Sequence, residues 1–205
     1  MFDDLDATLQ QLLAAPEAPE VLRGADVSFD TPARDYAPSR PTLNLFLHRI
    51  RENRALREPA PIMDRSGPTV VRRHPPLRVD CGYLVTAWSD LVAGSAVRVA
   101  QEHKLLGLAL LWLSRLGTIP PVYLHGTLAD QAFPPPVMAA RPQPPDEEPG
   151  QFWVSLGMPP RPAFSLQVTV ALDLGIATDL GPKVAASEVR LRAGPPPPPP
   201  PPPGL

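Results

Sequence analysis

The chain carries a single cysteine, Cys81, which excludes an internal disulfide and any cysteine-based zinc site. Long apolar runs are missing too. The longest, Leu105 to Leu113, spans nine residues and contains Gly107, against the roughly 18 to 20 needed to cross a bilayer, so a soluble protein without membrane contact is expected. His48, His74, His103 and His125 are scattered and form neither an i, i+4 pair nor a close set with carboxylates, which leaves no metal-ligand spacing. Glycine-rich phosphate loops and nucleophile-elbow patterns are absent, and with them the signatures of nucleotide hydrolysis and esterase chemistry. Where a secretory signal would carry Lys or Arg, the start carries Asp3, Asp4 and Asp6, so export by that route is not expected. The sequence therefore predicts a non-enzyme with no catalytic, cofactor-binding or metal-binding residues.

What the chain has in excess is proline, 32 in 205 residues, about three times ordinary usage. Long regular helices must be few. The hydrophobic content of 43% still suffices for a real core. Charge is segregated: residues 1–39 hold eight acids and two arginines, and residues 40–78 hold nine arginines and three acids. The basic stretch lacks interleaved aromatics and matches no nucleic-acid-binding signature, so a nucleic-acid partner is not expected.

The chain is organised around residues 40–58, RPTLNLFLHRIRENRALRE. Leu43, Leu45 and Leu47 fall on one face of an extended strand, with Asn44, Phe46 and His48 on the other. After Ile50 the pattern becomes a run of charge that no core could absorb. Arg49, Arg51, Arg54 and Arg57 are the candidate assembly interface; a solvated edge is the alternative reading of the same residues.

Periodicity places a short amphipathic helix over 2–13, a short strand over 25–29 and a strong strand over 77–88, with Cys81 on its apolar face between Val79 and Tyr83. It places the main helix over 98–116, apolar nearly all round in its second half, which predicts cover on several sides. A short strand is expected within 120–128, and the cleanest period of two runs from Phe164 to Leu172, with one face in the core and the other wet or paired. Residues 59–76 and 134–150 read as long loops. Trp88, Trp112 and Trp153 are assigned to core or interface, and Glu102-His103 to a solvated face. Residues 176–205, ending in nine consecutive prolines (195–203), are expected to be a disordered tail, its proline run a polyproline II rod of roughly 28 Å. The domain proper is expected over 1–175, as an α/β (α+β) fold with a mainly antiparallel sheet and helices packed on it.

The order VSFDTP, RPTLNLFLHRIRENRALRE, PPLRVDCGYLVTAWS, QEHKLLGLALLWL, QFWVSLG and RPAFSL resembles the tail-terminator or cap proteins of extracellular contractile injection systems. These are the phage-tail-like particles of bacteria, and the family includes the cap proteins of the Photorhabdus virulence cassette and the antifeeding prophage. The likeness extends over about residues 1–172 and leaves out the proline tail. It implies a structural subunit without an active site, assembling as a hexameric ring that ends the inner tube and holds the last sheath ring. Its partners would be further copies of itself, the tube protein and the sheath protein. Assembly would take place in the bacterial cytoplasm, with release as part of an extracellular particle. The alternative is a non-enzymatic adaptor whose polyproline tail docks SH3-, WW- or profilin-like partners.

Overall fold

A computed structural model describes residues 1–33, 36–91, 94–141 and 149–183, with the side chains of 149–151 left undescribed. The described residues form two compact units, one within 1–60 and 75–174, the other within 61–74 and 175–183.

The larger unit is built on a five-stranded sheet in the order β1-β2-β5-β7-β6. Its strands are β1 (Asp26–Ser28), β2 (Thr42–Glu52), β5 (Leu77–Trp88), β6 (Val137–Ala139) and β7 (Ala163–Leu172). Only β1 and β2 run parallel; the other pairings are antiparallel, as expected. One face carries Leu43 and Leu45 of β2, Val79, Cys81, Tyr83 and Val85 of β5, and Leu166, Val168 and Val170 of β7, all buried. Three helices share that core: α1 (Phe2–Leu13), α2 (Glu20–Arg23) and α3 (Ala96–Ser114).

Helix α1 sets Leu5, Leu9, Leu12 and Leu13 against the sheet, each at most 1% exposed and each contributing about 1.5–3 kcal/mol of burial. Asp3 and Asp4 lie in its first turn, where the helix dipole favours them. Its polar groups tie it to three neighbours. The Tyr83 hydroxyl donates to Asp6 Oδ1 at 2.8 Å, Trp112 Nε1 donates to the Leu12 carbonyl at 3.1 Å, and Asp4 Oδ2 accepts from Thr127 N and Oγ1 at 3.1 and 2.7 Å. Cys81 is fully buried and burial pushes its thiol up to about 12, so it packs as a small apolar side chain. All three tryptophans are buried as well.

Helix α3 begins two residues earlier than periodicity predicts, because Ser95 Oγ caps it by accepting from Arg98 N at 3.1 Å. The expected cover on several sides is not supplied by the described residues: Leu105, Ala109, Trp112 and Leu113 are buried, but Leu111 is 62% exposed. His103 is exposed, whereas Glu102 is not on a solvated face. Its Oε1 accepts from Arg98 Nε at 3.0 Å, Arg161 Nη2 at 2.9 Å and Ser89 N at 3.3 Å, and Arg161 lies 3.9 Å over the Trp88 ring. That half-buried carboxylate pins α3 to the end of β5.

Several segments depart from the sequence expectation. Residues 121–123 and 126–128 form two 3-10 turns instead of a strand, because Pro120 and Pro121 offer no backbone donors and Asp4 draws Thr127 onto α1. Residues 137–139 form β6, a pairing too short to show a period. Helix α4 (Pro149–Ser155) precedes β7, and residues 142–148 lie outside the described residues. In the smaller unit, β3 (Ile62–Asp64) and β4 (Thr69–Arg73) occupy the segment expected to be loop. β8 (Ala177–Pro182), in the segment expected to be tail, pairs with β4; the remaining residues assigned to the tail, 184–205, lie outside the described residues.

Gly126 has φ +51°, and a Cβ there would sit 2.1 Å from Asp4 Oδ1. The Thr127 donors hold the Asp4 carboxyl below the ordinary carboxylate range, so the contact stabilises the fold above that range and fades as pH falls through the lowered value. Gly126→Ala should therefore lower stability at neutral pH and shrink the acid-dependent loss of stability. Urea melts between pH 6 and pH 3 measure both, and an unchanged acid limb in the variant would contradict the assignment.

Candidate assembly interface

The four candidate arginines follow an irregularity in β2. Leu43, Leu45 and Leu47 pair with Ala87, Val85 and Tyr83 of β5, but the next register partners are Arg49 with Gly82, then Ile50 with Cys81 and Arg51 with Asp80. One extra residue, His48, is accommodated between Leu47 and Arg49 as a β-bulge. Strict alternation would have put Arg49 and Arg51 on the core face with the three leucines. The bulge exchanges the faces, so that Arg49 and Arg51 lie with Asn44 and Phe46 on the second face.

That second face is divided. Its upper part is apolar: Leu84, Trp88, Trp153 and Met158 form a small core of their own, with Phe152 packed against it. The Phe46 ring stacks on Phe152 at 5.6 Å, and the His48 ring approaches Phe152 at 6.1 Å. Its lower part is polar. Arg49, Gly82 and Gln167 occupy one row across β2, β5 and β7, and Arg51, Asp80 and Thr169 the next. Gln167 and Thr169 are 3% and 4% exposed, although alternation left that face of β7 wet or paired.

Asp80 organises the lower rows. Its Oδ1 accepts from Thr169 Oγ1 at 2.6 Å and from Asn53 Nδ2 at 3.0 Å. Asn53 in turn caps the 3-10 turn Arg54–Leu56, its Oδ1 accepting from Leu56 N at 3.1 Å. The carboxylate thus fixes the turn that carries Arg54, which is exposed. Arg57 bends back to Glu52, Nε to Oε1 at 3.2 Å, and lines a groove of about 510 Å³ with Leu56, Arg78, Phe133 and Pro136. Phe133 is 64% exposed, with the Arg78 guanidinium 5.8 Å above its ring.

The structure therefore brings Arg49 and Arg51 together on one face, sets Arg57 in the adjoining groove and leaves Arg54 on the connecting turn. Sequence reasoning missed Arg78, Phe133, Arg141 and Gln167. Arg141 Nη1 donates to Gln167 Oε1 at 2.6 Å, and the charges of Arg51 and Arg141, after burial, lower the Arg49 guanidinium from its ordinary value. Only Arg78 carried a usable signal, a charge at the outward position of an alternating strand. Among the described residues no group of histidines, cysteines and carboxylates could hold a metal ion.

Deleting His48 makes Leu47 and Arg49 consecutive, so plain alternation then keeps Arg49 and Arg51 on the second face, and the deletion should cost no more than about 1–2 kcal/mol. His48→Ala keeps the residue count and should cost about 1 kcal/mol or less. Thermal melts measure both, and a deletion that costs several kcal/mol, as a flip of every side chain after Leu47 would, would contradict the bulge.

Comparison with known proteins places this geometry in context. Among solved structures, the chain is similar to the sheath/tube terminator of the extracellular contractile injection system PVC in its extended state. The TM-score is 0.68 at 20% identity, over 95% of this chain and 64% of that one. It is also similar to the tube-terminating cap of the anti-feeding prophage, with a TM-score of 0.57 at 19% identity, over 93% of this chain and 61% of that one. The likeness is one of fold, and the chain spans less than two thirds of either neighbour's length. No curated protein matches it. Residues 4–186 match the family described as the Pvc16 N-terminal domain, and the chain belongs to that family.

Proposed function

We propose that the protein is a structural cap of a contractile, phage-tail-like injection particle, ending the inner tube and anchoring the last sheath ring as a hexameric ring. The observation that carries this reading is family membership over residues 4–186, together with a fold shared with two proteins described as a tube terminator and a tube-terminating cap. The role requires no catalysis. Partners are further copies of the chain, tube protein and sheath protein, and assembly takes place in the cytoplasm before the particle is released.

The charged half-face supports a docking role. Among the described residues, Arg49, Arg51, Arg57, Arg78 and Arg141 lie in or beside two rows of one sheet face that also hold Asp80. A surface rich in arginine steers association with an oppositely charged partner and disfavours stacking on a copy of itself. A cap must meet both demands, since it binds one tube end and must not polymerise.

Electron microscopy of particles from cells lacking the gene tests the proposal. Tubes of uncontrolled length, or sheaths that fail to stay extended, are expected. Truncating residues 195–205 should leave particles normal, whereas Arg51→Glu with Arg54→Glu should reproduce part of the deletion phenotype while the protein still folds. Normal particles in the full deletion would overturn the cap reading.

A further inference from the structure

The groove beside the 3-10 turn Arg54–Leu56 has a volume of about 510 Å³, within the range of ligand sites. Part of its lining is the turn itself, held by Asn53. The Asn53 Oδ1 accepts from Leu56 N at 3.1 Å, and its backbone N donates to the Arg78 carbonyl at 2.8 Å. Another part is the segment leading into β6. There Ile119 N donates to the Pro135 carbonyl at 2.9 Å, and Thr169 N to the Pro136 carbonyl at 3.0 Å. Backbone hydrogen bonds thus hold the groove's shape without a partner, which lowers the cost of filling it.

The chemistry of the lining narrows what can fill it. Phe133 is 64% exposed and Leu56 46%, and Pro59, Pro134 and Pro136 add three more rings. Prolines carry no N–H, so along that part of the lining an added strand would find no ladder of donors. The donors are side chains instead. The Arg78 guanidinium lies over the Phe133 ring at 5.8 Å and, among the described residues, is paired with no carboxylate. Arg57 is already paired with Glu52, and Glu58 lines the groove as well. The lining is therefore not of one sign, and it suits an uncharged occupant rich in rings and acceptors.

We propose that this groove binds a polyproline II segment, and that its occupant is the proline run 195–203 of a second copy of the chain. A polyproline II helix offers pyrrolidine rings and solvated carbonyls and, when built of proline alone, no N–H at all. The groove offers rings and guanidinium donors, the complement of both, and aromatic-lined grooves are how such helices are recognised. The helix repeats every three residues, about 9 Å, so nine prolines give several equivalent registers. Each copy carries one run and one groove, two unlike patches of the kind a head-to-tail ring uses. A groove of this size engages a few prolines, far short of the roughly 800 Å² per partner of a stable interface. The contact therefore supplements a ring and does not build it, so particles that stay normal after truncation of 195–205 are compatible with it. It rests on the cap reading only in taking the copies to lie side by side.

The test is binding of a labelled nonaproline peptide to the full chain, with unlabelled nonaproline and hexaglutamate as competitors. Saturable binding is expected, weakened at least about fivefold by Phe133→Ala and by Arg78→Ala, which remove a ring and a donor. Leu111→Ala removes a similarly exposed side chain on α3, 62% against 64%, and should change binding by no more than about twofold. Absence of saturable binding, or equal losses in Leu111→Ala and Phe133→Ala, overturns the site; hexaglutamate competing better than nonaproline overturns its ligand class. Oxidation of a chain carrying Cys81→Ala, Leu56→Cys and Pro199→Cys reads the source. Disulfide-linked pairs of chains are expected, in excess over a control with Leu111→Cys in place of Leu56→Cys. No excess of linked pairs, or closure within single chains alone, overturns the second copy as occupant. A particle-length phenotype of the gene deletion would stand unchanged through any of these failures, which keeps the two readings separable.

Discussion

A strand that starts apolar and ends charged cannot keep a strict period of two through its whole length, and most of this molecule's second face follows from how β2 meets that constraint. Leu43 and Leu45 are fully buried against the helices. Continued alternation would carry Arg49 and Arg51 into the same layer, and the added residue at His48 prevents it. From that point the sheet has two unlike faces over its lower half, one still joined to the helical core and one lined with guanidiniums. The glycine opposite Arg49, the carboxylate opposite Arg51 and the buried glutamine one strand further on are the complements that make such a face tolerable.

Charge that is segregated in sequence is used differently in the two halves of the fold. The acids of the first 39 residues are largely spent inside the larger unit: Asp4 on Thr127, Asp6 on Tyr83, Glu17 on Tyr123 and Asp26 on Arg40. They fasten α1, a 3-10 turn and β1 to their neighbours. Of the arginines in the following stretch, Arg57 pairs with Glu52 and Arg73 with Asp64, and Arg51 lies opposite Asp80. The result is a helical side whose acids are engaged internally and a sheet face on which, among the described residues, arginines outnumber carboxylates. This supports a contact surface on the second face more than a pair of matched acidic and basic patches.

Where side-chain alternation is long and clean, the sequence predicts the structure closely. β5, β7 and the first half of β2 lie where their periods put them, and Cys81 and the three tryptophans are buried as expected. The α/β class with a mainly antiparallel sheet was legible for the same reason. Three-residue strands such as β3 and β6 carry no measurable period, and β4 and β8 are basic or broken by Gly and Pro, so their pairings arise from tertiary contact. The bulge was invisible because Leu47, His48 and Arg49 fit an uninterrupted strand equally well; only the exclusion of arginine from a core face argues for it. Gln167 was missed because a polar residue on an alternating strand normally faces water, and its hydrogen-bond partner Arg141 lies 26 residues away.

The register through the bulge is the claim on which the cationic face depends, and a disulfide scan measures it directly. In a Cys81→Ala background, one variant pairs Arg49→Cys with Gly82→Cys and a second pairs His48→Cys with Gly82→Cys. Facing residues on neighbouring strands sit within the Cα separations that a disulfide spans. The bulged register predicts efficient oxidation of the 49–82 pair and slow oxidation of the 48–82 pair, read by mass spectrometry of the folded protein. Preferential closure of the 48–82 pair would mean that β2 alternates without interruption, and would contradict the placement of Arg49 and Arg51 on the second face.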